Sequence, residues 1–325
     1  METDDKFLHD HRRDPAPGFA RRLRETLRAD EDPRPAPAWR SLAFAASGLA
    51  VVVALFAVPG VRAWGQSVLD MFRVRSFVAV PFSAERMDKL RSLKTDNAMM
   101  VFDQQVTIQE PGRPVVQSSP AMASATAGFT VETPAYLPSG LAADTIAVTG
   151  EGRMRLSVST DRLRNLLAAL DLRDVEVPSG LDGQDVTVHM YPVVGQTFRS
   201  ERHKLALVQS KSPEVGLPTG LDLPRLGEVG LRILGLDASE AHRIASTVDW
   251  RSTLLVPVPA SASSFRSVTV QGNPGLLITT TRPTSDGQGR REGGSVVMWT
   301  ESDRVFALQG TLGPEDLMQV AESVR

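Results

Sequence analysis

The sequence contains no cysteine and almost no net charge. Zero cysteines among 325 residues exclude a disulfide framework, a thiolate zinc site and a cysteine nucleophile. A net charge of -2 at pH 7 argues against a nucleic-acid-binding protein, which needs an excess of basic residues. Hydrophobic residues make up 42% of the chain, which is enough for a folded body rather than a disordered stalk.

Motifs that assemble an active site are also missing. The chain has no nucleophile elbow, no phosphate-binding glycine-rich loop after a strand, no histidine pair at metal spacing on a helix and no Ser-x-x-Lys motif. His189, His203 and His242 stand far apart, and Glu201 is a carboxylate neighbour of His203 in sequence. We interpret each as a surface or strand histidine. The sequence therefore predicts no enzyme, no cofactor and no metal site.

A long apolar run occupies residues 41–61. About 20 apolar residues at 1.5 Å each cross a bilayer core of roughly 30 Å, and the segment from Leu42 to Val58 has almost no polar side chain. A secretory signal would lie near the start of the chain and end in a small-residue cleavage site, whereas Arg62 follows this run. A buried core helix would have one polar face, which the run lacks. The sequence predicts a transmembrane helix over 41–61.

The residues around this run predict its orientation. Six arginines from Arg21 to Arg40 precede it, against three from Arg62 to Arg75 after it. Because positive residues concentrate on the cytoplasmic side, we expect a cytoplasmic N-terminus and a C-terminal body outside the cell membrane. The predicted membrane-anchoring residues are Trp39, Leu49, Val52, Leu55, Phe56 and Trp64.

Residues 1–40 are predicted to form a cytoplasmic tail with one short amphipathic helix. Phe19, Leu23 and Leu27 recur every four residues, with arginines on the other faces. Such a short helix does not fold alone. It is interpreted as a docking helix for a cytosolic partner, as a basic helix on anionic lipid, or as a solvated tail that only keeps positive charge inside. The candidate partner-binding residues are Phe19, Leu23 and Leu27.

Residues 62–127 are predicted to form membrane-proximal helices and a linker. Helical spacing runs from Arg62 to Phe77, and Ser83 to Leu93 predicts another short helix. The segment Gln117 to Gly128 is rich in Ser, Ala and Pro, which is typical of a linker. These patterns place a domain boundary near Ala127.

Residues 128–325 are predicted to form an exterior α+β domain of mostly antiparallel sheet with several helices. Short β-rich segments bounded by turn residues recur throughout this part of the chain. The predicted strands are Phe129–Glu132, Thr145–Val148, Met154–Val158, Val186–Met190, Leu205–Gln209, Val268–Gln271, Leu276–Thr280, Val296–Trp299 and Val305–Leu308.

Helices are predicted between these strands. Asp161–Leu172 carries leucines along one stripe, and Leu226–Leu234 is also helical in pattern. Asp237 with Glu240 makes a capping-box start for a helix over Ala238–Val248. A final helix begins at Gly313-Pro314, with proline in its first position.

A Pro-Ser/Thr-Gly-Leu unit recurs at Pro138, Pro178 and Pro218. Proline fixes φ at one corner of a turn and glycine accepts the conformation that follows, so shared turn chemistry is favoured over a solenoid repeat. The glycine-rich segment Ser285–Gly294 predicts a hairpin tip, with anion binding by its two arginines as the alternative.

Segments spread over most of the chain carry a family resemblance. They are the tail pattern Phe19–Leu27, the apolar run with its sequel Leu69–Pro81, and the segments Phe129–Leu141, Asp249–Pro257, Val296–Thr300, Val305–Gly310 and Leu317–Val324. On these residues the chain resembles bacterial single-pass transmembrane anti-sigma-factor-like proteins with an exterior C-terminal domain of unknown function. The resemblance implies a sigma factor as the cytosolic partner. The His-x3-Cys-x2-Cys zinc signature of many anti-sigma factors is absent, because the chain has no cysteine.

Three classes of function remain open from the sequence. The favoured one is a membrane-anchored regulatory or sensory protein that couples an exterior event to a sigma factor or other regulator through the tail. The second is an exterior envelope module that binds lipid or lipoprotein, with the tail only as an anchor. The third, an envelope hydrolase, has no assembled active site in the sequence.

Overall fold

The computed structural model describes residues 70–72, 74–82, 85–86, 88–90, 101–138, 140–218, 220–259, 263–283 and 291–325. The predicted tail (1–40) and transmembrane helix (41–61) lie outside these ranges. The same holds for every predicted partner-binding and anchoring residue: Phe19, Leu23, Leu27, Trp39, Leu49, Val52, Leu55, Phe56 and Trp64. Within the described ranges, no helix combines the length and the apolar character that crossing a membrane requires.

The described residues form an α+β fold. Its strands are β1 (Asp70–Phe72), β2 (Ser76–Phe82), β3 (Phe102–Gln109), β4 (Val115–Gln117), β5 (Ala142–Thr149), β6 (Gly152–Val158), β7 (Asp185–Met190), β8 (Val193–Arg199), β9 (Lys204–Lys211), β10 (Glu214–Leu217), β11 (Thr253–Pro259), β12 (Ser263–Val270), β13 (Asn273–Pro283), β14 (Arg291–Glu301) and β15 (Arg304–Gly310). Its helices include α1 (Pro120–Ala127), α2 (Thr160–Ala169), α3 (Leu223–Leu234), α4 (Ala238–Thr247) and α5 (Pro314–Glu322).

The strands belong to three sheets. The five-stranded sheet has the order β1-β10-β7-β6-β3, and the eight-stranded sheet has the order β12-β13-β14-β15-β9-β8-β5-β4. Every pair in these two sheets is antiparallel. The third sheet is the parallel pair β2 and β11, in which Ser76 lies opposite Thr253. The predicted α+β class with mostly antiparallel sheet is confirmed.

Four neighbouring strands of the five-stranded sheet continue into four neighbouring strands of the eight-stranded sheet. In each case two consecutive strands of the chain are joined: β3 with β4, β5 with β6, β7 with β8, and β9 with β10. The joined strands lie in the same order in both sheets. The joints contain Pro111, Pro192 and Pro213, which lack the N–H that a continuous ladder needs. At Gly150 the backbone N–H donates to the Pro111 carbonyl at 3.0 Å, and a Cβ there would lie 2.8 Å from that oxygen. The joint therefore requires glycine at position 150.

The eight-stranded sheet is covered on both faces. Since neighbouring residues of a strand point to opposite faces, Met298 and Trp299 mark the two sides. On the Trp299 side, Leu317 and Val320 of α5 pack in a buried cluster with Trp299 and Phe306, whose rings stack at 4.9 Å. On the Met298 side the covering layer consists of β2 and β11, and Leu254, Val256 and Val258 of β11 share a buried cluster with Leu276 and Ile278 of β13.

The three Pro-Ser/Thr-Gly-Leu units have the predicted turn conformation. Gly140, Gly180 and Gly220 have φ values of 87°, 81° and 84°, a region that residues with a Cβ rarely adopt. After each turn the leucine packs on a hydrophobic cluster. β13 and β14 form a hairpin around the tip predicted for Ser285–Gly294, with Pro283 opposite Arg291. Residues 291–294 of that prediction belong to β14, and residues 284–290 lie outside the described ranges.

The structure corrects the prediction for the segment that follows the apolar run. Residues 70–72 and 76–82 are strands, not the helix predicted over 62–77. β2 is apolar on both faces because it lies between the eight-stranded sheet and a pair of helices, and such a strand has no alternating pattern. Residues 85, 86 and 88–90 are helical, inside the short helix predicted for Ser83–Leu93.

Two further predictions near residue 127 are wrong in detail. Most of the predicted linker is helix α1, capped by the Ser119 side chain and ended by Gly128 at φ 74°. Phe129–Glu132 is not a strand, because Gln196 and Gln209 side chains bond the Glu132 backbone in place of a neighbouring strand. Strands that precede Ala127 pair with strands that follow it: β3 pairs with β6, and β4 pairs with β5.

Candidate functional site

A cleft of about 470 Å³ opens between α3, α4 and the segment 174–176. Side chains of both charges and several small apolar residues line it. They are Asp174, Val175, Glu176, Asp222, Pro224, Arg225, Glu228, Val229, Arg232, Ala238, His242, Ala245 and Ser246. A concave site with convergent polar groups is the usual form of a small-ligand site.

Local sequence signals set the two helices that line this cleft. Asp222 caps α3 by accepting from the Arg225 N–H at 3.0 Å, and Gly235 ends the helix at φ 102°. Asp237 caps α4 by accepting from the Glu240 N–H at 2.8 Å, and this hydrogen bond is the main reason why the pKa of Asp237 is lowered. Only three residues separate the helices, and their buried sides pack in one hydrophobic cluster.

Ion pairs cross between the elements of the cleft. Arg232 Nη2 lies 2.7 Å from Asp174 Oδ2, and Arg225 Nη2 lies 2.5 Å from Glu176 Oε2, so α3 is tied to the 174–176 segment at two points. The Arg232 hydrogen bond is the largest cause of the lowered pKa of Asp174. The Arg232 side chain is only 12% exposed, and its buried Nε has no hydrogen-bond partner among the described residues.

His242 and Glu228 form a third pair, between the two helices. His242 Nδ1 on α4 lies 3.0 Å from Glu228 Oε2 on α3. The cleft therefore presents charged groups of both signs along its length. This chemistry suits a polar ligand with charged groups and does not suit an acyl chain.

The two helices that line the cleft pack on β2 through their buried sides. Leu231 and Leu234 of α3 and Ala241, Ile244 and Ala245 of α4 form one buried cluster with Val80 of β2 and Leu255 of β11. Val80 is 0% exposed. The indole Nε1 of Trp250 donates to the Ala245 carbonyl at 2.8 Å, which fixes the end of α4 to the start of β11. A change in the spacing of α3 and α4 would therefore act on β2.

A second polar cluster lies where β6, β7 and β10 leave the joints between the two large sheets. His189 on β7 lies between two carboxylates, with Nε2 2.6 Å from Glu151 and Nδ1 3.5 Å from Glu214. Its ring also packs against Tyr191 at 4.2 Å between centroids. Hydrogen bonds from Arg153, and then from His189, lower the pKa of Glu151. This cluster joins three strands through side chains.

The histidine predictions need one correction. His189 is a strand residue as predicted, but it and His242 both have carboxylate neighbours that are distant in sequence. His203 contacts Thr311 at 3.3 Å. In the ranges that the structure describes, no three His, Asp or Glu side chains converge on a position where a metal ion would fit.

Sequence reasoning did not find the cleft. Its charged pairs join residues 49 and 58 positions apart, so no local motif marks them. One signal was available: Arg225, Glu228 and Arg232 are spaced by three and four residues, which places them on one face of a helix.

The chain was also compared with known proteins. No family model matches the sequence, and no curated protein matches it.

Proposed function

We propose that the protein is a membrane-anchored regulatory or sensory protein whose exterior body binds a polar ligand in the cleft between α3 and α4. The packing of Val80 against both helices carries this proposal. β2 follows the predicted transmembrane helix closely in sequence, and its Val80 packs in the buried cluster beneath the two helices that line the cleft. Ligand binding and the membrane anchor therefore act on the same strand.

The proposed mechanism needs two arrangements of α3 and α4. A ligand that binds one arrangement more tightly shifts the protein towards it, by no more than the difference in affinity. The buried contacts between the helices and β2 transmit the change, because a close-packed interior does not absorb the movement of a helix without shifting its neighbours. On the other side of the predicted span, the shift changes how the tail binds its partner.

The cytosolic partner is proposed to dock on the tail through Phe19, Leu23 and Leu27. An apolar stripe on a short helix folds when a groove in the partner covers it. The resemblance to transmembrane anti-sigma-factor-like proteins favours a sigma factor over other regulators. The absence of cysteine means that a zinc-bound motif does not contribute to this contact.

Affinity capture with the full-length protein tests the proposal. Leu23→Asp combined with Leu27→Asp should abolish capture of a sigma factor, because each change places a charge in the apolar stripe. Arg21→Gln combined with Arg28→Gln lowers the net charge by the same amount on the opposite face of the helix and should leave capture unchanged. Equal capture by all three proteins would refute a docking helix, and fusions of reporters at Ala38 and Ala127 check the orientation that it requires.

A second candidate function is an envelope module that binds lipid or lipoprotein, with the tail only as an anchor. Exposed apolar side chains favour it: Val115 and Val116 on β4 are 59% and 69% exposed, and Met122 on α1 is 51% exposed. This module would keep its ligand when residues 1–38 are deleted. In the regulatory protein, by contrast, the same deletion abolishes capture of the cytosolic partner.

A further inference from the structure

The outer edge of β3 differs from the other sheet edges in the described part of the chain. β3 ends the five-stranded sheet and pairs only with β6. It is eight residues long, contains no proline, and carries no charge from Gln104 to Gln109. Unprotected edges of this kind attract a further strand.

Each other edge has a feature that discourages pairing. β1 and β4 are three residues long. β2 contains Pro81, and β11 contains Pro257 and Pro259. β12 carries Arg266, which is exposed. β3 has register shifts, which also discourage pairing, only near its two ends, so the regular stretch Gln104–Thr107 is without such protection. Since natural sheets usually protect their edges, this stretch indicates a surface that is covered in the assembled protein.

The side chains of β3 support the same conclusion. All residues from Gln105 to Gln109 are exposed, so neither face of this part of the strand is packed in the described structure. Val106 and Ile108 are 50% and 54% exposed. β-branched side chains at alternate positions are stabilised by cross-strand neighbours, which β3 has on one side only.

We propose that a second copy of this chain pairs antiparallel with β3 through this edge, about a two-fold axis that passes close to Val106. Free backbone N–H and C=O groups argue against lipid as the covering partner, because lipid does not satisfy them. In a two-fold dimer the same strand of each copy lies opposite itself, so any charge at its centre would face a like charge. The central residues of β3 carry no charge, and this edge is therefore compatible with a second copy of itself. The two five-stranded sheets would then form one sheet across the dimer.

The register of β3 limits this pairing to its centre. β3 departs from regular register with β6 between Phe102 and Gln104 and between Thr107 and Gln109. With the axis at Val106, the two copies of Val106 face each other, and Gln105 faces Thr107 of the partner. The bulges bend the strand beyond these residues, so the regular contact is short and the dimer is weak. This inference does not depend on the proposed function.

A single introduced cysteine tests the dimer, because the natural chain has none. In the full-length protein, Val106→Cys should form an intermolecular disulfide on mild oxidation, since directly opposed residues of antiparallel strands lie about 4.5–5.5 Å apart. Phe265→Cys is the matched control, because Phe265 lies on the β12 edge and is 44% exposed. Cross-linked dimer from V106C well above the F265C level supports the proposal, and equal levels overturn it.

A charge variant gives a second, independent measurement. Val106→Lys places two lysines opposite each other and should weaken self-association by about fivefold or more, whereas Val106→Thr should retain it. Circular dichroism checks that both variants are folded, which is expected at a half-exposed position. Unchanged self-association of V106K would overturn the proposal, as would cross-linking of V106C to a different protein in place of a second copy.

Discussion

Replacing Gly227 by alanine should destabilise the protein, although alanine is the better helix former. Gly227 lies on the buried side of α3, under the indole of Trp250. A Cβ at this position would overlap the Cζ2, Cη2 and Cε2 atoms of that ring. The indole is held by its hydrogen bond to the Ala245 carbonyl at 2.8 Å and by the cluster beneath the cleft. The ring must move, and its contacts are lost.

The competing effects give the sign and size of the change. Alanine in the interior of a helix is about 1 kcal/mol more favourable than glycine. Overpacking costs about 1–3 kcal/mol, and loss of the indole hydrogen bond costs about 1 kcal/mol more. We expect Gly227→Ala to lower the free energy of unfolding by about 2 kcal/mol, and the melting temperature by about 4–8 °C for a domain of this size.

Thermal unfolding of the full-length protein, followed by circular dichroism, measures this effect. Trp250→Leu provides the decisive background, because a leucine leaves room for the added methyl group. In the Trp250→Leu background, Gly227→Ala should be neutral or stabilising. The difference between its effects on the free energy of unfolding in the two backgrounds gives the coupling energy between positions 227 and 250. A higher melting temperature for G227A alone, or an equal loss in both backgrounds, would refute the reasoning.

Three further outcomes are expected. Val80→Ala, at a fully buried position of β2, should cost about 2 kcal/mol of stability in the same thermal assay. Hydrogen bonds from Thr160 lower the pKa of Asp182 below its ordinary value of 3.8. The Asp182 carboxylate therefore stabilises the fold above that pH, and this stabilisation is lost as the pH falls through the folded-state pKa. The melting temperature of Asp182→Asn should consequently depend less on acid pH than that of the natural protein. Gln209→Leu should cost about 1–3 kcal/mol in urea unfolding, because Gln209 is 0% exposed and bonds both the N–H and the C=O of Glu132.

Elements with strong local signals were predictable from the sequence. The helix predicted over Asp161–Leu172 corresponds to α2, the capping-box helix to α4, and the helix with proline in its first position to α5. In each case a start signal and a 3.6-residue apolar pattern lie within one segment, so no distant residue decides the outcome. The start signal is a capping side chain in α2 and α4 and a proline in α5.

Elements that depend on distant partners were not predictable. β11 contains Pro257 and Pro259, which argue against a strand, yet it forms one because its parallel partner β2 lies alongside it. β8 contains Gly195, which interrupts its apolar pattern. The cleft was missed for the same reason, since the contact between Arg232 and Asp174 exists only after the chain has folded.

The parallel pairing of β2 and β11 delays completion of the fold during protein synthesis. Ser76 meets Thr253, which lies 177 positions later in the chain. At roughly 5–20 residues per second, ribosomes would take about 9–35 s to make the intervening segment. Throughout that interval the apolar side chains of β2 lack their native neighbours, so the nascent chain should depend on a chaperone that shields an unpaired strand.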